Sequence, residues 1–242
     1  MPLSHGVLLL LLPLAVLGMR ALLSSLRREL KSLGSTSKAR QMKAYMKSEM
    51  AFHGVPAPAV RAITKTVFAD CSLSQDEWEE TVLYLWRRAR FREERYAVQY
   101  FCGEKRWTAY QQPRAMRVYE EMIDSGAWWD HVDNLAVRVG EILRAYPVEM
   151  KPLMRAWSEG PSLWRRRTSI ICQLRFKMNT DLELLYSCIE ASMDSPEFFL
   201  QKAIGWSLRE YAWSNPDEVK RFVEANRDRL SPLSRREALK HL

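Results

Sequence analysis

The stretch Gly126 to Leu135 reads GAWWDHVDNL and places two tryptophans and two aspartates within six residues, Trp128 to Asp133. Apolar residues at Trp128, Val132, Leu135 and Ala136 recur with helical spacing, so Trp129 and Asp133 stand one turn apart and project together. That pairs an aromatic wall with a carboxylate. A helix that needed only a core would rarely use these residues, because Trp prefers an apolar body with a partnered N–H and Asp resists burial. A purely structural account is also open. In it Trp128 packs in the core, Asp130 caps the helix, and Asp133 is solvated or salt-bridged.

Two further segments combine aromatic, basic and apolar residues in the same way. Leu163 to Gln173, LWRRRTSIICQ, sets Arg165, Arg166 and Arg167 at the start of an otherwise apolar helix. A helix N-terminus disfavours cations, so the cluster is costly unless an anion lies close by; a solvated basic face with snorkelled stems is the competing account. In Phe199 to Tyr211, FLQKAIGWSLREY, Trp206 and Arg209 are neighbours at i and i+3, and Gly205 leaves room for close backbone approach. As plain structure this is a Trp beside an Arg that pairs with Glu210 or with a carboxylate on another helix.

The elements that must position these groups are helical almost throughout. The periodicity and the Gly, Pro, Ser and Asn breaks predict helices at about Arg20 to Leu33, Ser37 to Met50, Ala59 to Phe68, Ser74 to Trp86, Arg92 to Cys102, Pro113 to Asp124 and Trp128 to Arg144. Others follow at Glu149 to Trp157, Leu163 to Arg175, Asp181 to Ala191, Pro196 to Trp213, Pro216 to Asn226 and Pro232 to Lys240. Ser74 with Glu77 forms a capping box. No stretch reads as a strand. Around a dozen short helices joined by tight turns predict an all-α, HEAT-like solenoid of stacked helix pairs, with repeats of ~40 residues and a concave basic groove. A compact bundle is the other arrangement that such periodicity allows.

Composition sets the remaining bounds. A chain of 242 residues with 47% apolar content can bury a full core, and a net charge of +8 suits a polyanionic partner, nucleic acid before membrane surface. The cysteines, Cys71, Cys102, Cys172 and Cys188, form no CxxC pair, and the histidines show no ligand spacing, so no metal is expected and the thiols read as reduced core residues. Residues 1–18 read as an apolar leader outside the fold, with 19–242 as one helical-repeat domain. Its apolar run from Val7 to Gly18 is shorter than the ~20 residues that span a bilayer and is interrupted by Pro13.

Several segments resemble the AlkD-type DNA alkylation repair glycosylases: QMKAYMKSEMAFHGVPAP at Gln41 to Pro58, WWDHVD at Trp128 to Asp133, LWRRRTSIICQ at Leu163 to Gln173, EFFLQKAIGWSLREYA at Glu197 to Ala212, and the terminal LSPLSRREALKHL. The likeness runs in order from about Arg20 to Leu242. It implies a HEAT-like fold that holds duplex DNA and excises cationic N3- and N7-alkylated purines by hydrolysing the N-glycosidic bond, without full base flipping. Carried over residue by residue, Asp133 matches the catalytic carboxylate, Trp129 and Trp206 the aromatic pair flanking the deoxyribose, and Arg167 the arginine of the catalytic cleft. Arg209 matches a backbone-binding arginine and Tyr45 the tyrosine that approaches DNA from the N-terminal segment. Arg165 and Arg166 are expected as generic phosphate contacts, joined more diffusely by Arg87, Arg88, Arg90 and Arg92. The resemblance implies no cofactor, a cytoplasmic monomer, and no membrane partner. A helical-repeat scaffold that binds DNA or protein without catalysis is the alternative.

Overall fold

The computed structural model describes the backbone of residues 5–242 and the side chains from Val16 onward. In chain order the helices are α1 (His5–Ser32), α2 (Thr36–Met46), α3 (Ala57–Val67), α4 (Gln75–Arg88), α5 (Arg92–Cys102), α6 (Met116–Gly126) and α7 (Trp129–Ala145). They continue with α8 (Pro147–Glu159), α9 (Leu163–Ile171), α10 (Leu182–Glu190), α11 (Phe198–Ala212), α12 (Pro216–Ala225) and α13 (Pro232–Ala238). Among the described residues no strand forms; a single isolated bridge pairs Ala51 with Phe91. The chain is an all-α, helical-repeat protein. No helix of the described residues is long and apolar enough to cross a membrane.

Side-chain caps account for six of the helix starts. Ser74 and Glu77 form the predicted capping box of α4, and Ser35, Ser162, Asp181, Asn215 and Ser231 each accept a backbone N–H at an N-cap. Three expectations need correction. The first helix begins at His5 and not near Arg20, so the backbone of the apolar leader from His5 onward is part of α1; residues 1–4 lie outside the described residues. α2 stops at Met46, where Lys47 takes a left-handed conformation (φ 48°). α9 stops at Ile171, short of Arg175. Residues Lys105–Tyr110, which carry little helical periodicity, form a 3₁₀ segment.

The chain divides into two compact units, residues 1–110 and 111–242. In the first, α1, α3, α4 and α5 pack on one another around Trp78, Trp86, Phe68 and Phe101. Two consecutive buried glutamates organise its loops. Glu93 accepts the backbone N–H groups of His53, Gly54 and Val55 at 2.8–3.1 Å, and Glu94 takes both nitrogens of the Arg27 fork at 3.0 and 3.2 Å. Both carboxylates are fully buried, and these donors replace the water they give up.

In the second unit α7, α9, α11 and α13 pack in succession, each against the next, with α6, α8, α10 and α12 behind them. Two glycines set the spacing. Gly140 in α7 lies against the carbonyl of Cys172 just past α9, and Gly205 in α11 lies against Ser234 and Glu237 of α13. A Cβ at Gly140 would overlap that carbonyl oxygen, which belongs to backbone and cannot rotate away. Gly140→Ala should therefore destabilise the protein by about 1–3 kcal/mol, read as a lower urea midpoint at unchanged m value.

Candidate active site

The turn between α6 and α7 delivers the first site residues. Ala127 closes α6 in a left-handed conformation (φ 36°), unusual for a residue with a Cβ, and Trp128 is the extended N-cap of α7. Trp128 offers no side-chain cap, and its ring packs on Trp164 at 6.0 Å and on Phe199 at 5.3 Å. It is a packing residue, as the structural account expected. Asp130 is not the cap of this helix; it lies in the first turn. Trp129 opens α7 half-buried, and Asp133 follows one turn later.

Asp133 meets Arg167 in a two-pronged ion pair, Nε to Oδ1 at 2.7 Å and Nη2 to Oδ2 at 2.9 Å. The remaining Arg167 nitrogen, Nη1, donates to the backbone carbonyl of Phe199 at 2.6 Å. One guanidinium thus ties α7 to α11 through α9. Arg167 has 5% of its side chain exposed and Asp133 has 18%, so the carboxylate is the member of the pair that solvent or a ligand can still reach. Burial pushes the Asp133 carboxyl above its ordinary value, the Arg167 fork opposes that rise, and the Asp130 charge adds to it.

Trp206 lies on α11, seven residues and about two turns beyond Phe199 and hence on the same face, at a separation of roughly 10 Å along the axis. Its ring is half-buried and its Nε1–H donates to Glu210 Oε1 at 3.1 Å. Glu210, weighed from the sequence as a partner for Arg209, is the partner of Trp206. Arg209 instead pairs with Glu237 of α13 at 2.6 Å, and Lys202 reaches the other oxygen of that carboxylate at 3.0 Å. The hydrogen bond from Lys202 and the charge of Arg209 hold the Glu237 carboxyl below its ordinary value.

The arginines expected as phosphate contacts are mostly engaged within the protein. Arg165 forks onto Asp124 at 3.0 and 2.6 Å, and Arg166 donates to Ser192 Oγ at 3.1 Å and to the Ala191 carbonyl at 2.8 Å. Arg92 is buried, with bonds to Ser48 Oγ at 3.1 Å and to the Tyr96 hydroxyl at 3.2 Å. The anions that make three cations tolerable at the start of α9 are therefore largely the protein's own: Asp124 for Arg165 and Asp133 for Arg167. Tyr45 is on α2 in the first unit, 77% exposed. The structure brings Asp133 and Arg167 into contact, sets Trp129 one turn from Asp133, and puts Trp206 on the helix that anchors Arg167. Glu210, Glu237, Asp124 and the Phe199 carbonyl are partners that spacing does not identify; only Glu210, four residues from Trp206, leaves a local signal. Among the described residues no group of three or more His, Cys, Asp or Glu could hold a metal ion.

A family model for DNA alkylation repair enzymes matches residues 26–242, which contain every residue of this candidate site. The chain belongs to the DNA alkylation repair enzyme family. The solved structure of a predicted DNA alkylation repair enzyme from Enterococcus faecalis is similar to this chain at 28% sequence identity, with a TM-score of 0.73, covering 86% of this chain and 96% of that one. The comparison with curated proteins gives no match. Membership brings DNA as the substrate of the family.

Removing Arg167 would strand a buried carboxylate and free the Phe199 carbonyl. Arg167→Ala should cost about 3–5 kcal/mol of folding stability at neutral pH, measured by urea denaturation. It should also move the Asp133 carboxyl further above its ordinary value, read by carboxyl carbon NMR. The sign follows from linkage: a carboxyl raised by folding loses stability as pH rises through its folded pKa, so Asp133 in this variant should favour folding in acid and oppose it at neutral pH.

Proposed function

We propose that this protein is a DNA glycosylase that releases cationic N3- and N7-alkylated purines from duplex DNA, working in the cytoplasm as a monomer and without full base flipping. The observation that carries this reading is a carboxylate held in place by a buried arginine fork, still partly open to solvent, with one half-buried indole a turn away and another on the helix that anchors the fork. The reaction demands little more. An alkylated purine is already positive, so when the C1′–N bond breaks its electron pair neutralises the base, which leaves without a general acid. Positive charge then develops on the deoxyribose, and water adds at C1′ and gives up a proton, leaving an abasic site and a free alkylpurine.

Each residue has a part in that sequence. Asp133 supplies the anion beside the forming oxocarbenium ion and accepts from, or deprotonates, the incoming water. A carboxylate has about four lone-pair sites, and the Arg167 fork occupies one on each oxygen, so acceptor capacity remains. Arg167 orients the group and favours its ionised form. Trp129 and Trp206 offer electron-rich faces to the sugar cation. Glu210 fixes the Trp206 ring through Nε1 and sets a negative charge behind it, which deepens the negative potential of the π-face. At 4 Å and an effective dielectric of 20, an opposite charge is worth ~4 kcal/mol, or about three decades in rate. That ceiling suffices for labile cationic lesions and falls short for neutral ones such as 8-oxoguanine. Arg209 and Tyr45, with Arg165 and Arg166, complete the proposed DNA contacts; Arg209 would exchange Glu237 for a phosphate.

A DNA-binding scaffold without hydrolysis has one observation in its favour: both Asp133 oxygens already accept from Arg167, as in a purely structural tie. The deciding assay is release of 7-methylguanine from duplex DNA. Asp133→Asn should lower the single-turnover rate about a hundredfold or more while duplex affinity holds. Absence of release by the wild-type protein would leave only the scaffold. The rate should fall as pH drops through the Asp133 pKa, which lies above the ordinary carboxylate value, because the protonated form carries no charge to offer the sugar. For Glu210, Glu210→Gln should keep the indole hydrogen bond and lose a few-fold in rate, whereas Glu210→Ala should lose on the order of tenfold; equal rates for both would assign Glu210 to packing alone.

A further inference from the structure

The first unit holds a cleft of about 500 Å³ between α1 and α4, lined by Arg20, Arg27, Arg87, Arg88, Arg90 and Tyr84, and no carboxylate lines it. Arg20 and Arg27 are seven residues apart and so share one face of α1. Arg87 and Arg88 form the last turn of α4, and Arg90 follows in the connection to α5. Compensation of the helix dipole explains cations in the last turn of α4. It does not explain Arg20 and Arg27 from a second helix facing the same space.

The floor of the cleft is fixed. Arg27 forks onto buried Glu94 at 3.0 and 3.2 Å and donates to the Arg88 carbonyl at 2.6 Å, while Glu94 also accepts the backbone N–H of Arg90 at 2.8 Å. One buried carboxylate therefore positions an arginine of α1, the end of α4 and the start of the connection together. Glu94 offsets the charge of Arg27 alone among the guanidinium groups, Arg20 and Arg90 are exposed, and the Arg88 guanidinium lies over the Tyr84 ring at 5.9 Å. Like charges drawn together on a rigid floor repel, and an anion bound among them relieves that repulsion. Planar guanidinium forks match phosphate oxygens in geometry as well as charge.

We infer that this cleft is a binding site for two adjacent phosphate groups, the chemistry shared by a nucleic-acid backbone and by free pyrophosphate. Its volume exceeds what one phosphate fills, and its preformed floor lowers the ordering cost of binding. The site is separate from Asp133 and Arg167 and does not depend on glycosylase activity.

The test uses the full-length protein and the variant Arg20→Gln/Arg90→Gln. Both side chains are exposed, and the Arg90 contact to Glu94 runs through its backbone, so the variant keeps the Glu94 network and should melt like wild type. Calorimetry with pyrophosphate at low salt should show one site, weakened at least tenfold in the variant. Binding of an undamaged 12-base-pair duplex should lose about two from its salt slope, at about 0.9 per phosphate contact. Loss in both arms assigns the cleft to the DNA backbone, and loss with pyrophosphate alone assigns it to a small phosphate ligand. No change in either arm overturns the proposal. So does an equal loss in Arg227→Gln/Arg236→Gln, which removes the same charge from the second unit.

Discussion

The second unit depends on one buried cation with three obligations. Arg167 is nearly inaccessible to water, so its donors must be met inside the protein. Two go to Asp133 of α7 and one to the Phe199 carbonyl of α11. Because a guanidinium is planar and its donors have fixed directions, satisfying all three fixes the azimuth of α7 and the axial register of α11 relative to α9. Hydrophobic packing of Val132, Leu135, Ile170 and Ile204 holds the helices together but would tolerate small rotations; the fork does not. The glycines at 140 and 205 then let neighbouring backbone approach closely enough for the layer to close.

Much of this architecture was legible in the sequence because it is written locally. Helical periodicity, serine caps and proline starts operate over three or four residues, and α5 begins and ends at Arg92 and Cys102, as its pattern predicts. Misplaced boundaries fall where a local rule gave way. Lys47, a residue with a Cβ, terminates α2 in a left-handed conformation. Candidate site residues were legible as types and spacings: Trp129 with Asp133, Trp206 with Arg209, and the arginine cluster. Their partners were not. Arg165 meets Asp124 across 41 residues and Arg209 meets Glu237 across 28, and pairings of that range depend on which helices lie side by side. The same reasoning explains why a basic composition overstated the number of arginines free to meet phosphate: the excess charge is real, yet Arg92, Arg165, Arg166 and Arg209 are bound to the protein's own oxygens.

Electrostatics at the proposed site involve a compromise that the geometry makes explicit. A carboxylate that stabilises a cation works best when it is dry, since water screens its field, but a dry carboxylate tends to take up a proton and lose its charge. Arg167 opposes that protonation, and it also cancels part of the field that the sugar would feel. The partial exposure of Asp133 against the burial of Arg167 resolves the conflict by direction: the arginine lies behind the carboxylate, further from solvent, and the open side retains acceptor lone pairs.

Such a site gains most from a substrate that brings its own positive charge, because a field weakened by a neighbouring cation is still enough to favour a reaction whose leaving group is already activated. It gains little from a neutral base, whose departure needs a proton donor, because the ionised Asp133 that the proposal requires and the indoles provide none. The proposed restriction to cationic lesions would thus follow from how Asp133 is held, and would apply whatever the size of the alkyl group, since the proposed contacts act on the sugar and leave the modified edge of the base untouched.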